Sequence, residues 1–547
     1  MIGLKGAYFY FVAIQITFVK FLKKIYFSSN YYNKSLISKI PIQVFFNPNP
    51  FLLSIISPYT NKSFKINKVN PNDFWLKNKN KKVNEYHNFL WLNLIDRKED
   101  GRNIQKIIYI WMLKYSSFRK RVWETSTLSS RVISWMLNID MIINNATFEF
   151  KKNFFQNIII QCNHLKKNIR FENDPQKKLQ VLTALILSGL IFKEAEENFN
   201  LGIKELEKFV KIYFDNDGFP SSRSLNDLIF FTNYLLLCHE NIKDAQKYAP
   251  EFLDEIIKKS LMCIKFFKTP ENQAPLFNGA YEKNLEYLDK YLDEIKTNKK
   301  DKKDIIGGIF SAKFKQQFLY FDVGEPPNKN FSKNYQSGPL SFEYYLDGTK
   351  IITNCGFGKN ISSKAELISR LTASQSTLTI NDTSVTKFER NKLINRVFGN
   401  SIKNTFKTNE LKIKNDKELF GCSVLHNGYE KNFSCVHKRE IYLDIEKNKL
   451  IGSDHILKKK DSIPIRYVFR FHLNPKLSAI KTMSGNSALI QISKNKSLIF
   501  SIKNESIEIE RSIYLGGKKI LDNTCITISG NLVNKDKSFN WEIRKKI

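Results

Sequence analysis

The sequence predicts an α+β chain of several domains, with a helical N-terminal part followed by a C-terminal antiparallel β-sandwich. Two observations predict this. From about Glu85 the apolar residues recur at helical spacing, in successive segments joined by short links. Beyond about Lys303 the apolar signal changes to period two. The stretch from Gly307 to Ser384 carries the change from one pattern to the other. At 547 residues the chain exceeds one ordinary core, so two or three domains are expected.

The first apolar run, Ala7 to Val19, follows Lys5, contains Gln15 and is followed by Lys20, Lys23 and Lys24 without a small-x-small cleavage site. It is too short to cross a bilayer and makes a poor export signal. It reads equally as an amphipathic helix lying on its own domain or on a membrane surface. No integral membrane span is expected elsewhere. Residues 28 to 84 contain Pro41, Pro48, Pro50, Pro58 and Pro71 and read as short strands and turns, giving an extension over 1–84 packed on the next domain.

The helical domain is expected over 85–302. Its first helix begins with Tyr86, Phe89, Leu90, Leu92 and Leu94. Ile104–Tyr115 and Ser129–Ile143 follow, then segments near 149–169, 174–195, 199–215, 225–240, 246–267 and 281–296. Successive amphipathic helices of this kind pack as a superhelix or a closed toroid, although no strict repeat is present. The sandwich is expected over 303–547, with a dozen or so short strands. Examples start at Phe318, Leu340, Ile351, Thr377, Glu440, Leu450, Arg466 and Ser506, and Asp347-Gly348 and Asn427-Gly428 mark turns. Two adjoining domains make the cleft between them the expected ligand site.

An apolar fraction of 42% with 13% aromatics excludes a disordered chain. The formal charge of +34 comes from 87 basic residues, of which only 15 are Arg, and they are spread along the chain. No nucleic-acid partner is expected from charge without clustering. The same field suits an acidic polysaccharide. Seven cysteines, an odd number without a Cys-x-x-Cys pair, argue against a disulfide framework or a Cys-rich zinc site. They read as small buried hydrophobes.

A series of short pieces recurs in one order: Phe89-Leu-Trp-Leu, Ser130-Arg-Val-Ile-Ser-Trp, Asp217-Gly-Phe-Pro-Ser-Ser-Arg-Ser and Leu276-Phe-Asn-Gly. It continues with Asp322-Val-Gly-Glu-Pro-Pro, Ser337-Gly-Pro-Leu-Ser-Phe-Glu, Thr353-Asn-Cys-Gly, Thr372-Ala-Ser-Gln-Ser-Thr-Leu, His426-Asn-Gly-Tyr, His437-Lys-Arg and Phe471-His-Leu-Asn-Pro. Through these the chain, from about residue 85 onward, resembles the heparinase II/III family of polysaccharide lyases, in particular its alphaproteobacterial branch. The resemblance implies an α/α-toroid followed by an antiparallel β-sandwich, and β-elimination on a uronate-containing glycan. It also implies the cell envelope or periplasm, whereas the unclear signal segment leaves the cytoplasm as the alternative.

Such an elimination needs a group that neutralises the uronate carboxylate, a base for the C5 proton and an acid for the leaving 4-oxygen. The resemblance directs these roles to Asn278, Tyr281, Gln375 and His426, with Arg223, Asn226 and Arg439 binding substrate. Arg223 reads equally as the partner of Asp217 or Asp227. Gln375 and Pro220 stand where relatives carry His. That gives a second reading, a catalytically impaired protein of the same fold that binds glycan or assists envelope polysaccharide assembly. No cofactor is required. His437, Asp454 and His472 on neighbouring strands are candidates for a structural zinc, or for ordinary hydrogen-bonding.

Overall fold

The computed structural model describes residues 4–57, 70–77, 83–97, 101–295, 303–458, 463–533 and 535–546. The chain divides into two compact units, one of Met1–Phe214 with Ile229–Lys258, the other of Asp215–Leu228 with Lys259–Ile547.

The first unit is helical. After α1 (Leu4–Phe27) come α2 (Gly101–Tyr115), α3 (Thr125–Leu137), α4 (Phe148–Asn168), α5 (Pro175–Ile191) and α6 (Glu196–Tyr213). The next helices, α7 (Leu225–Asp244) and α8 (Glu251–Phe267), have residues in both units. Local sequence sets the starts. Thr147 accepts a hydrogen bond from Phe150 N at 3.2 Å at the head of α4, and Asp174 caps α5 ahead of Pro175. Every residue of α5 from Leu179 to Ile191 is buried, because α3, α4 and α6 all pack on it. Gly189 lets α6 approach, since a Cβ there would strike the Phe199 backbone.

Three expectations need correction. The described part of 28–84 holds short helices (Asn30–Ser35, Leu53–Ile56 and Pro71–Lys77) and no strand. Pro50 and Pro71 sit in first turns, where a missing N–H costs nothing. The helix from Tyr86 is interrupted, because Phe89 takes a left-handed φ of 57° between Val83–His87 and the 3₁₀ turn Leu90–Leu94. The segment 281–296 is mostly not helical. Glu282 N bonds to Gly516 O at 2.8 Å and Leu285 N to Asn272 O at 2.9 Å, so these donors are taken by other loops before Asp289–Asp293 makes one short helix.

The second unit carries the strands. They are β1 (Ile305–Ile306), β2 (Ile309–Phe314), β3 (Gln317–Asp322), β4 (Phe342–Leu346), β5 (Thr349–Thr353) and β6 (Leu378–Ile380). Then come β7 (Thr408–Asn415), β8 (Leu419–His426), β9 (Cys435–Asp444), β10 (Lys449–Lys458), β11 (Ile465–Leu473) and β12 (Ser478–Lys481). The last are β13 (Ser487–Ser493), β14 (Lys496–Ile502), β15 (Glu508–Tyr514), β16 (Leu521–Leu532) and β17 (Lys537–Lys545). One antiparallel sheet runs β1-β2-β3-β4-β5-β11-β16-β15, with β6 on β11, and the other runs β12-β13-β14-β17-β10-β9-β8-β7. The β4–β5 hairpin turns on Asp347 and Gly348, both at positive φ, the conformation a two-residue hairpin loop demands. Phe342 from the first sheet stacks on Trp541 from the second, and Phe471 meets the same indole edge-on, with ring centroids 5.5 and 5.1 Å away. All seven cysteines are buried and unpaired, as expected of small hydrophobes.

Candidate functional site

The loop 215–228 in the second unit supplies the first part of the site. Asp215 accepts hydrogen bonds from Asp217 N at 3.0 Å and Phe219 N at 2.8 Å, which folds the loop back on itself. Gly218, at a φ of 78°, leaves no room for a Cβ against Lys259. Arg223 follows at a φ of 56° and is buried. Its guanidinium donates to Gly307 O (2.8 Å), Gly308 O (3.2 Å), Glu325 O (2.6 Å) and Asp322 Oδ1 (2.6 Å). Burial works against its charge, but the Asp322 carboxylate more than offsets this and raises its pKa. Arg223 is therefore a clasp between the loop and the 307–325 region, and its partner is neither Asp217 nor Asp227. The expected role on a substrate carboxylate is not available to a fork engaged in these four bonds. Asn226 lies half-exposed in the first turn of α7.

Asn278 and Gly279 form a tight turn at φ of 47° and 88°. The Asn278 side chain is buried beside the Asp322 carboxylate and helps keep that carboxyl ionised. Gly279 N donates to Gln336 Oε1 at 2.9 Å, and Gln336 Nε2 donates to Ser369 O at 2.7 Å. Gln375 Nε2 donates to the same carbonyl at 2.8 Å. Arg223, Asn278 and Gln375 thus belong to one buried polar cluster, joined through Asp322, Gln336 and Ser369. Gln375 neither faces solvent nor offers its amide N–H to a ligand; it anchors its own loop.

Tyr281 is the accessible member. It is half-buried on the extended segment after Gly279, with its phenol beside Asn360, and burial raises its pKa. On the neighbouring residue, Glu282 Oε1 accepts from Tyr514 OH at 2.5 Å. Two residues on, half-buried Lys283 has its pKa lowered by burial to about 8. Its ammonium lies 5.7 Å from the Tyr287 ring centroid, and among the described residues no carboxylate pairs with it. Lys283 was missed in the sequence because nothing in the composition of Tyr-Glu-Lys-Asn distinguishes it from 71 other lysines' surroundings.

The remaining candidates lie inside the sandwich. Asp454 accepts from His437 Nε2 at 2.7 Å, from Arg439 Nε at 2.6 Å and from Trp541 Nε1 at 2.9 Å. Burial alone would raise this carboxyl, but Arg439 and His437 hold it well below the usual carboxylate range. Arg439 also donates to Leu340 O at 2.7 Å and Ser376 O at 2.9 Å. It is fully buried, so it is a structural tie and not a surface group for a substrate anion. His426 is also fully buried, and burial, with His437 and Arg439 nearby, lowers its pKa well below the usual value. Gly428 N donates to its Nδ1 at 3.1 Å, which puts the proton on Nε2.

His472 faces elsewhere, toward Ala373 O at 3.1 Å and Ser512 Oγ at 3.0 Å. His437, Asp454 and His472 do not converge, and among the described residues no group of three His, Cys, Asp or Glu could hold a metal ion. The residues present do not fit a zinc site. Together Arg439 and His472 grip the loops 337–341 and 372–377, Gln375 ties the second of these to Ser369, and Gln336 links Ser369 to Gly279.

Residues 307–542 match the family model for the Heparinase II/III-like, C-terminal domain. Among solved structures the chain is similar to heparinase III, with a TM-score of 0.65 at 14% identity over 89% of this chain and 79% of that one. It is also similar to a mutant of the heparan sulfate lyase HepC from Pedobacter heparinus, with a TM-score of 0.63 at 13% identity over 91% of this chain and 82% of that one. No curated protein sequence matches the chain. At these identities the likeness defines the fold, a toroid-like helical part followed by antiparallel sheets.

Proposed function

We propose that the protein is a polysaccharide lyase that cleaves an acidic, uronate-containing glycan by β-elimination. The observation that carries this reading is one short segment, in which the accessible Tyr281 and Lys283 follow the buried Asn278–Gly279 turn. Neutralising the uronate carboxylate makes the C5 proton more acidic; Asn278, buried beside Asp322, holds the turn that precedes Tyr281 and Lys283. Lys283, with a pKa of about 8, takes that proton as its neutral amine. The electrons form the C4–C5 double bond and the bond to the 4-oxygen breaks. Tyr281, kept protonated by its raised pKa, gives its proton to the departing oxygen. The buried Arg223, Gln375 and Arg439 brace the loops around this segment, and His426 lies inside the sandwich, all outside the chemistry.

The heparan sulfate named for the similar HepC structure makes that glycan the first substrate to try, with chondroitin, alginate and bacterial capsular glycans beside it. Ultraviolet absorbance of the unsaturated uronate follows the reaction. Product with at least one acidic glycan, and its loss in Tyr281→Phe, is the expected result. Folded protein that yields no unsaturated product from any of them would overturn the proposal.

A further inference from the structure

We propose that α1 docks the protein on an anionic membrane surface, lying in the plane of the lipid headgroups. This is independent of the lyase reading. The helix is 24 residues long, about 36 Å at 1.5 Å per residue. One side packs on its own unit: Ala13 is fully buried, and Phe27 meets Phe118 and His164 with ring centroids 5.2 Å away in each case. The other side is apolar and open. Phe11, Ile14, Phe18, Phe21, Leu22 and Ile25 recur at spacings of three, four and one, and each is 48–59% exposed. A helix turned to water carries polar residues on such a face. Tyr8 and Tyr26, near its two ends, are also exposed, and a phenol suits the boundary between acyl chains and water.

Charge selects the occupant. The first 57 residues hold six lysines and no acidic residue. Lys20 and Lys24 are exposed on α1 itself. A second copy of this segment would be equally basic, whereas an anionic lipid surface attracts it. No helix among the described residues is long and apolar enough to cross a membrane, so the helix lies in the interface and does not span it.

Flotation of the full chain with vesicles tests this. The protein should float with mixed phosphatidylcholine–phosphatidylglycerol vesicles, stay behind with phosphatidylcholine alone, and release as salt rises. The double variant Phe11→Glu/Phe18→Glu should weaken binding more than about tenfold. Lys20→Glu and Lys24→Glu should each weaken it by about fivefold or more. All four positions are exposed, so circular dichroism should be unchanged. The inference is overturned if the full chain floats with neither vesicle, or if binding is indifferent to these substitutions. It is equally overturned if sedimentation shows a dimer that Phe11→Glu/Phe18→Glu dissolves while vesicle binding is absent, which would make a second copy the occupant.

Discussion

Arg223 illustrates how a residue singled out in the sequence can be right in importance and different in role. Its Ser-Ser-Arg-Ser surroundings mark a loop, and a loop arginine suggests a ligand. Its partner Asp322 is 99 residues away, a separation no local pattern reveals. Because the pair is buried, Arg223→Ala should leave an uncompensated carboxylate and cost about 3–5 kcal/mol of stability. Denaturant unfolding measures it, and Arg223→Lys should recover little, since one ammonium cannot replace a fork that makes four bonds. A substrate-binding arginine would instead raise KM with stability unchanged. The proposed chemistry makes its own residue-scale prediction. Lys283 must be neutral, so kcat/KM should rise about tenfold per pH unit below about 8 and level off above it. It should fall again only when Tyr281 deprotonates above its ordinary value. Lys283→Met should remove the lower limb, and an unchanged profile in that variant would exclude Lys283 as the base.

Among the elements, strands were the more legible, because period two in a half-buried sheet is imposed by the pleat itself. Segments starting at Phe318, Ile351, Glu440, Leu450 and Arg466 all lie in strands. The 281–296 segment was misread because its apolar spacing suits a helix while its backbone donors are claimed by Asn272 and Gly516, both outside the segment. The histidines of the site were read as chemistry for a similar reason. A His on a strand gives no sign of whether its ring faces a cleft or the space between two sheets. Gly452 in the middle of β10 is explained only by the neighbouring strand β17. Its register partner is Trp541, and a Cβ at 452 would overlap the indole that donates to Asp454. Gly452→Ala should therefore cost about 1–3 kcal/mol by overpacking. It should also shift tryptophan fluorescence, because the displaced indole loses its carboxylate and loosens the Arg439 tie to the loops above.

For the whole molecule the buried histidines dominate the response to acid. Burial lowers His87 to about 3 and His164 to about 4 in the first unit, and His472 to about 4 in the second. His426 and His437 are lowered too, for the same first reason. Each takes up a proton more readily unfolded than folded, with an unfolded pKa near 6.5. Their stabilisation is therefore complete above about pH 6.5 and is lost as pH falls toward the folded values. His472 alone accounts for roughly 3 kcal/mol over that window. His239 runs the other way, since Glu240, against burial and together with Asp254, raises its pKa. Asp454 adds a separate loss below about pH 4, because its folded pKa lies beneath the unfolded one. Both units should thus weaken between about pH 6.5 and 4, earlier than carboxylate titration alone would bring. Denaturant midpoints taken across that range measure the loss. In His472→Gln, whose amide can still donate to Ala373 O but cannot titrate, the midpoint of the second unit should fall less steeply with acid. A slope identical to that of the parent protein would show that His472 is not held neutral by its burial.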